Sequence, residues 1–272
     1  AGMDPACMSV EDWLAAWAGP AGLRLWGMSG ASVIEGPEQV ADLATARARW
    51  PDLPMLLAAP ADPAGGASSR PVPCPAALRL DRVADGGPLW RVAAVSQADP
   101  PGLLAGELAP IAGLLAAHPQ FDGVALLTGP RSHWVRISAG EICHFHSFLT
   151  GELLTLLSPE ATEGEGFAEA LGDALSRPHR AYGQLAHLPT EGGHARRAGL
   201  LIGLELAAAK PYWLGQQVAI LDGVPQQASL AGLYAQGLSL QGVHVLQPDA
   251  QAGFVAGMYA AWKALDGRDT GA

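Results

Sequence analysis

The hydrophobic residues of the first half alternate in some segments, as in strands, and recur every three or four positions in others, as in helices. A continuous apolar run at 13–16 precedes a glycine-containing turn at 17–22, and residues 23–28 alternate after it, which predicts a strand, a tight turn and a second strand. The pattern then predicts a strand at 32–36, a helix over 38–50, a strand at 54–59, a loop at 60–76, a strand at 89–95 and a helix over 103–117. The first half therefore begins with a three-strand meander and continues with helices and strands.

The second half repeats this order. Three strands are predicted at 123–129, 133–138 and 141–148, and a helix at 150–158. Further helices lie between 164 and 209, the longest at 194–209, and the chain ends with a strand at 217–223, a helix at 226–237, a strand at 243–247 and a helix at 253–265. The repeated order indicates an internal duplication.

This duplication predicts an α/β protein with two lobes, over 8–120 and 121–268, each a mixed sheet flanked by helices. Two such lobes with a cleft between them are the architecture of the actin-like, sugar-kinase and ribonuclease H-like folds. The turn after the first strand of each lobe would point into the cleft, where backbone N–H groups can meet phosphate. We call the turn at 17–22 the first corner and the turn at 128–133 the second corner.

Composition and charge narrow the possible partners. The chain has 272 residues, of which 49% are apolar and 15% charged, and its net charge of −10 argues against nucleic-acid binding. Three widely spaced cysteines indicate neither a disulfide framework nor a zinc site, so we expect a reduced, cytoplasmic protein. The long apolar run at 199–209 is too short to span a bilayer, so no membrane partner is expected. The strand meanders make a homodimer plausible.

Residues 12–28, 123–158 and 196–209 together resemble the 2-keto-3-deoxygalactonate kinases, also called 2-dehydro-3-deoxygalactonokinases. The resemblance is strongest over 123–158, where Trp134, Val135 and the string Thr150-Gly151-Glu152-Leu153 match the family pattern. It implies ATP-dependent, Mg²⁺-assisted phosphorylation of a small-molecule sugar acid, 2-keto-3-deoxygalactonate, in galactonate catabolism. ATP and Mg²⁺ are the cofactors that the resemblance implies.

Both corners depart from the family pattern. The family's first loop reads Asp-Trp-Gly-Thr, whereas Trp17 stands at the acid position here, Gly19 is retained and Pro20 replaces the threonine. The second loop, Pro-Gly-Thr-His-Ser-Lys-Trp in the family, retains Gly129 and Ser132 but has a proline at 130. Gly19, Gly129 and Ser132 are thus the remnants of the nucleotide-phosphate loops that the resemblance implies. The two glycines also suit a tight turn on conformational grounds alone.

Two further family motifs are changed. Residues 105–110 stand where the family has Arg-Gly-Glu-Glu-Thr-Gln, and Glu107 is the acid left there. Glu107 is a candidate metal ligand, or equally a carboxylate stabilised at the start of a helix. Residues 59–62 replace the family's Gly-Met-Val/Ile-Gly-Ser turn.

The lost groups are those that phosphoryl transfer uses. A proline has no N–H to offer a phosphate, and an indole neither accepts a proton nor binds Mg²⁺. We therefore predict weak or absent phosphoryl transfer and impaired ATP binding, with no assignable catalytic residue. Three hypotheses stay open: an active kinase with an acid supplied by Asp12, Asp62 or Glu107; a non-catalytic protein that binds a sugar acid, a nucleotide or a regulatory partner; and a structural subunit.

The remaining candidates concern the sugar acid and metals. The resemblance places Thr150, Gly151 and Glu152 near the substrate, although Thr150 and Glu152 also suit a helix start. Arg24 is a candidate for the substrate carboxylate, as are Arg131 and Arg136, while strand alternation explains Arg24 and Arg136 equally well. His144 and His146 lie on one strand face and form a possible metal pair without an evident third ligand. Glu205 matches a family position, and its role is open.

Overall fold

The structure is a computed structural model that describes residues 12–19, 22–61, 68–84, 87–157, 164–189, 193–222 and 228–269. Up to residue 121 it contains strands β1 (Asp12–Gly19), β2 (Gly22–Ser29), β3 (Ser32–Val40), β4 (Met55–Ala58), β5 (Ser69–Pro71), β6 (Cys74–Pro75), β7 (Leu80–Ala84), β8 (Pro88–Val92), β9 (Ala94–Gln97) and β10 (Gly102–Leu104), with helices α1 (Leu43–Arg49) and α2 (Leu108–Ala117).

From residue 122 the strands are β11 (Gly123–Thr128), β12 (Ser132–Ser138), β13 (Glu141–Phe148), β14 (Val218–Asp222) and β15 (Val245–Leu246). The helices are α3 (Thr150–Leu157), α4 (Phe167–Ser176), α5 (Pro178–Leu185), α6 (His194–Ala208), α7 (Lys210–Trp213), α8 (Ala228–Ser239) and α9 (Ala250–Asp269).

The contacts divide the chain into two compact units. The first comprises the chain up to Phe121 and again from Gln251 onward, and the second comprises Asp122–Ala250. The predicted second lobe, 121–268, therefore includes helix α9, which the structure groups with the first unit. The reason is close helix packing, since a Cβ built on Gly257 of α9 would lie 2.0 Å from the carbonyl oxygen of Ala109 in α2.

The first unit has a mixed sheet in the order β3-β2-β1-β4-β8-β7, and a smaller sheet in the order β10-β9-β5. Strand β1 runs antiparallel to β2 and parallel to β4. Both faces of β1 are buried: Leu14 belongs to a cluster with Trp50, and Trp13 stacks on Trp262 of α9 at 5.2 Å between ring centroids. Burial on both faces explains why this strand is apolar at successive positions.

The strands of the second unit run in the order β15-β14-β11-β12-β13. Strand β11 is antiparallel to β12 and parallel to β14, as β1 is to β2 and β4. The core packs side chains of β11 and β12 against α6 and α8, among them Leu126, Trp134, Ile202 and Tyr234. Both units thus begin with the predicted meander, and the parallel partner of the first strand follows later in the chain.

Some element boundaries differ from the prediction. The helix predicted over 38–50 begins only at Leu43, because residues 38–40 pair with β2 and the carboxylate of Asp42 accepts a hydrogen bond from the Thr45 N–H at 2.7 Å. Residues 102–104 pair with β9 instead of starting a helix. Strand β5 lies within the loop predicted over 60–76, of which 62–67 fall outside the described residues. No helix in the described segments has the length and hydropathy that crossing a membrane requires.

Candidate functional site

The second corner packs directly on the start of helix α3. A Cβ built on Gly151 would lie 1.9 Å from the carbonyl oxygen of Gly129, so only glycine fits at 151 without displacing the backbone. The Glu152 N–H donates a hydrogen bond to the carbonyl oxygen of Pro130 at 2.7 Å. The corner and the helix start therefore form one packed element, which brings together the sequence candidates Gly129, Ser132, Thr150, Gly151 and Glu152.

A buried carboxylate lies beneath this element. Glu205 on α6 is 3% exposed. Its Oε1 accepts hydrogen bonds from the Ser132 hydroxyl and the Trp134 indole, each at 2.7 Å, and its Oε2 accepts one from the Tyr234 hydroxyl at 2.7 Å. Burial raises the pKa of Glu205, and hydrogen bonds from Thr150, Tyr234, Trp134 and Ser132 act in the opposite direction. The sequence left the role of Glu205 open, and the structure places this residue at the centre of a hydrogen-bond network.

Two charged side chains of this element reach solvent. The Arg131 Nε lies 3.3 Å from the Glu152 carboxylate, and the two side chains are 62% and 42% exposed. Such an exposed pair contributes little to stability. Its guanidinium and carboxylate remain open to an approaching ligand, in contrast to the buried hydroxyls of Ser132 and Thr150.

Asp222 is a polar residue beside the second corner that the sequence interpretation missed. It ends strand β14 opposite Thr128, the last residue of the parallel strand β11, and the Thr128 hydroxyl donates a hydrogen bond to its Oδ1 at 3.0 Å. Burial raises the pKa of Asp222, against the effect of the Thr128 hydrogen bond. An available signal was the acid at the carboxyl end of an apolar strand, where ligands bind in open α/β sheets.

The first corner is apolar where the structure describes it. The Trp17 ring contacts the edge of Phe254 at 6.1 Å between centroids. A Cβ built on Gly19 would lie 3.4 Å from the Trp17 indole nitrogen, so the indole folds over the corner. Pro20 lies outside the described residues. Gly22 ends the corner with a φ of 105°, a conformation that favours glycine.

The changed family motif at 105–110 also lies in the first unit. The Gly106 N–H donates to the carbonyl oxygen of Ala59 at 2.7 Å, and a Cβ on Gly106 would lie 2.6 Å from the Ala59 nitrogen. Glu107 precedes helix α2, and its carboxylate accepts a hydrogen bond from the Ala105 N–H at 2.9 Å. This geometry agrees with a carboxylate at a helix start, and the metal-ligand role of Glu107 stays a prediction. Asp62 lies outside the described residues.

The other arginine candidates have local contacts. The Arg24 guanidinium lies over the Trp26 ring, 5.5 Å from its centroid. Arg136 donates to the Gly123 carbonyl oxygen at 2.8 Å and pairs with Asp122 at 2.6 Å. The structure therefore places neither guanidinium in the packed element at the second corner.

His144 and His146, the possible metal pair, each contact a neighbouring aromatic ring. His144 Nδ1 lies 2.9 Å from the Tyr212 hydroxyl, and His146 stacks on Phe148 at 4.6 Å between centroids. Burial and then Arg136 lower the pKa of His144, and burial raises that of Tyr212 to about 12. Within the described ranges, no three His, Cys, Asp or Glu side chains lie close enough together to hold a metal ion.

Comparison with known proteins identifies relatives. The family model for 2-keto-3-deoxy-galactonokinase matches residues 31–261. A probable 2-dehydro-3-deoxygalactonokinase of Rhizobium meliloti (strain 1021) is 31% identical over 189 residues, which cover 61% of this chain and 60% of the relative. The chain thus spans about 60% of the length of the curated relatives that it matches.

Solved structures agree on the fold. A crystal structure from Sinorhizobium meliloti, of a protein considered to be a 2-dehydro-3-deoxygalactonokinase, aligns with a TM-score of 0.77 at 23% identity and covers 93% of this chain and 99% of that one. The activator of 2-hydroxyisocaproyl-CoA dehydratase from Clostridium difficile aligns with a TM-score of 0.51 at 10% identity, over 95% and 97% of the two chains. The predicted two-lobed, actin-like α/β fold with mixed sheets flanked by helices is confirmed.

Proposed function

Because the chain belongs to the 2-keto-3-deoxy-galactonokinase family, we propose that it binds 2-keto-3-deoxygalactonate but transfers phosphoryl groups weakly or not at all. The observation that supports this proposal is the side chain at position 17, where an indole packed against Phe254 stands in place of the family's acid. The family reaction uses ATP and Mg²⁺, and an indole supplies no ligand for that metal and accepts no proton from a sugar hydroxyl.

The acids that sequence interpretation offered as substitutes give limited support to an active kinase. Asp12 lies at the opposite end of strand β1, roughly 23 Å from Gly19 at about 3.3 Å per residue. The Glu107 carboxylate accepts a hydrogen bond from the Ala105 N–H, and Asp62 is outside the described residues. A missing general base costs about 10²–10⁴ in rate, which is the loss that we expect at the least.

The second corner favours retained binding of the sugar acid. The start of α3 keeps the family string at 150–153, and its backbone is held against the corner by the contact between Gly151 and Gly129. The exposed Arg131 guanidinium has the planar donor geometry that matches a carboxylate. A sugar acid that approaches this element therefore meets an exposed cation, which lies beside the Glu152 carboxylate, and a closely packed backbone.

Asp222 supports the alternative of an active kinase. Its half-buried carboxylate lies beside Thr128 at the second corner, and burial raises its pKa toward the range in which a carboxylate accepts protons efficiently. Under this alternative Asp222 would replace the missing acid, and the Asp222→Asn variant would lose activity.

An ADP-release assay with MgATP and 2-keto-3-deoxygalactonate tests the proposal. We expect turnover at least a hundredfold below the ordinary kinase range of about 1–100 s⁻¹, together with heat release on titration of the sugar acid alone. The control is the same assay without the sugar acid, because ADP release that does not require the sugar acid is not transfer to it. Turnover within the ordinary range that disappears in Asp222→Asn would establish the alternative, and the absence of sugar-acid binding would overturn the proposal.

A further inference from the structure

Glu205 is a buried carboxylate to which the proposed function gives no part. It projects from helix α6 and receives hydrogen bonds from β12, through Ser132 and Trp134, and from α8, through Tyr234. Thr150 at the start of α3 is a further hydrogen-bond partner. One side chain of α6 thus connects three other elements of the second unit.

The chemistry of the donors explains why an acid is needed at this position. The indole N–H of Trp134 can only donate, and it is fully buried, so it requires an acceptor. A carboxylate has about four acceptor sites, whereas the carbonyl oxygen of a glutamine has two, so a carboxylate can serve all four of these donors.

The network fixes the orientation of two hydroxyls that the family resemblance assigns to ligands. Ser132 is 1% exposed and Thr150 is 6% exposed. Both side chains hydrogen-bond to Glu205 in the interior instead of facing solvent. The groups that can contact a ligand at the second corner are therefore backbone groups and the exposed side chains of Arg131 and Glu152.

Backbone contacts carry this positioning to the surface. The corner carbonyl groups of Gly129 and Pro130 touch Gly151 and the Glu152 N–H, respectively. Arg131 and Glu152 therefore sit on two backbone segments that Glu205 anchors from beneath, one through Ser132 and one through Thr150. If the anchor is lost, the two segments are free to shift relative to each other.

We propose that Glu205 is a positioning residue, whose carboxylate holds Ser132 and Thr150 inward and so presents Arg131 and Glu152 to the ligand in a fixed geometry. The ligand is an anionic sugar acid, and this part of the proposal rests on the proposed function. The anchoring itself concerns the protein without ligand and can be tested separately.

Amide hydrogen exchange of the ligand-free full chain tests the anchoring. Glu205→Gln keeps the shape of the side chain but replaces one of its two acceptor oxygens with an NH₂ donor, and Glu169→Gln is the matched control, since Glu169 is an exposed carboxylate on α4 of the same unit. We expect exchange about tenfold faster in segments 128–134 and 149–153 of Glu205→Gln and no change there in the control. Unchanged exchange in these segments, or an equal increase throughout the second unit, would overturn the proposal.

A second set of variants covers the case in which Glu205→Gln does not fold. Ser132→Ala and Thr150→Val each remove one hydroxyl from the network while Glu205 remains. If both hydroxyls act through the same carboxylate, the effect of the double variant on exchange in the two segments is smaller than the product of the single effects. An effect equal to the product overturns the shared anchor.

Calorimetric titration with 2-keto-3-deoxygalactonate tests the link to the ligand. We expect Glu205→Gln to weaken binding about tenfold and Glu169→Gln to leave it unchanged. Equal affinity of wild type and Glu205→Gln overturns the positioning role. Absence of binding by the wild type refutes the proposed function and the ligand part of this inference, whereas the exchange experiment still decides whether Glu205 anchors the two segments.

Discussion

His133 provides a direct test of the electrostatics at the second corner. Burial, and then the nearby Arg131 guanidinium, lower the pKa of His133 from 6.5 to about 4. The ring is 7% exposed, and its Nδ1 lies 2.7 Å from the Ser147 hydroxyl on the neighbouring strand β13. In this environment a second positive charge next to Arg131 is poorly solvated, so the folded state favours the neutral imidazole.

The pKa change predicts how stability depends on pH. Between the pKa of the unfolded state, 6.5, and that of the folded state, about 4, the unfolded chain binds more protons at His133 than the folded chain does. The contribution of His133 to stability is therefore complete above the unfolded pKa and is lost as the pH falls toward the folded pKa. At 1.36 kcal/mol per pKa unit the loss amounts to about 3 kcal/mol.

Two measurements on the variant His133→Gln check this value. In NMR titrations of the histidine rings, the resonance missing from His133→Gln should titrate near pH 4 in the wild type. In urea unfolding, the wild type should lose about 3 kcal/mol more than His133→Gln between neutral pH and pH 4. His187→Gln, which removes an exposed histidine of the same unit, should reproduce the wild-type pH dependence. A wild-type resonance of His133 that titrates near 6.5 would refute the reasoning.

Three further substitutions, one of them with a matched control, test packing within the two units. Gly151→Ala should destabilise the second unit by about 1–3 kcal/mol in urea unfolding, because its Cβ would meet the Gly129 carbonyl oxygen. Gly183→Ala is the control: a Cβ at this position has no atom within 4 Å, so the change should stabilise its helix by up to about 1 kcal/mol. Gly257→Ala should lower the thermal unfolding midpoint of the first unit, and an unchanged midpoint would contradict the close packing of α9 on α2. Phe254→Ala should cost about 3–5 kcal/mol in urea unfolding, and a loss below about 1 kcal/mol would show that Phe254 is not part of the core.

The order of elements could be predicted from the sequence because periodicity reports directly on burial. Strand β11 is buried at every position, and the prediction of 123–129 differs from it by one residue. The predicted boundaries of elements were wrong where a single side chain or a pairing strand determines the end of the element. The Asp42 cap and the pairing of residues 38–40 with β2 shortened helix α1, and such pairing depends on residues that are distant in sequence.

The candidate site was only partly predictable for the same reason. The family string at 150–153 and the corner residues Gly129 and Ser132 were selected from sequence, and the structure brings them together. The convergence of four donors on Glu205 joins residues up to 73 positions apart, which no local pattern shows. Asp222 and Thr128 are 94 positions apart and meet only because β14 pairs with β11.

The two corners differ in what their side chains do for the fold, and this difference affects how their resemblance to the family is interpreted. Trp17 contacts Phe254, so an aromatic residue at this position gains apolar contact where an acid would need solvation. At the second corner Ser132 donates to a carboxyl group that is 3% exposed, and removing a hydrogen-bond partner from a buried polar group is costly. Stability alone is therefore sufficient to retain Ser132, and it does not require an acid at position 17. It follows that the match of Ser132 to the family pattern is weak support for phosphoryl transfer, and that the proposal of weak transfer depends on Trp17 and not on Ser132.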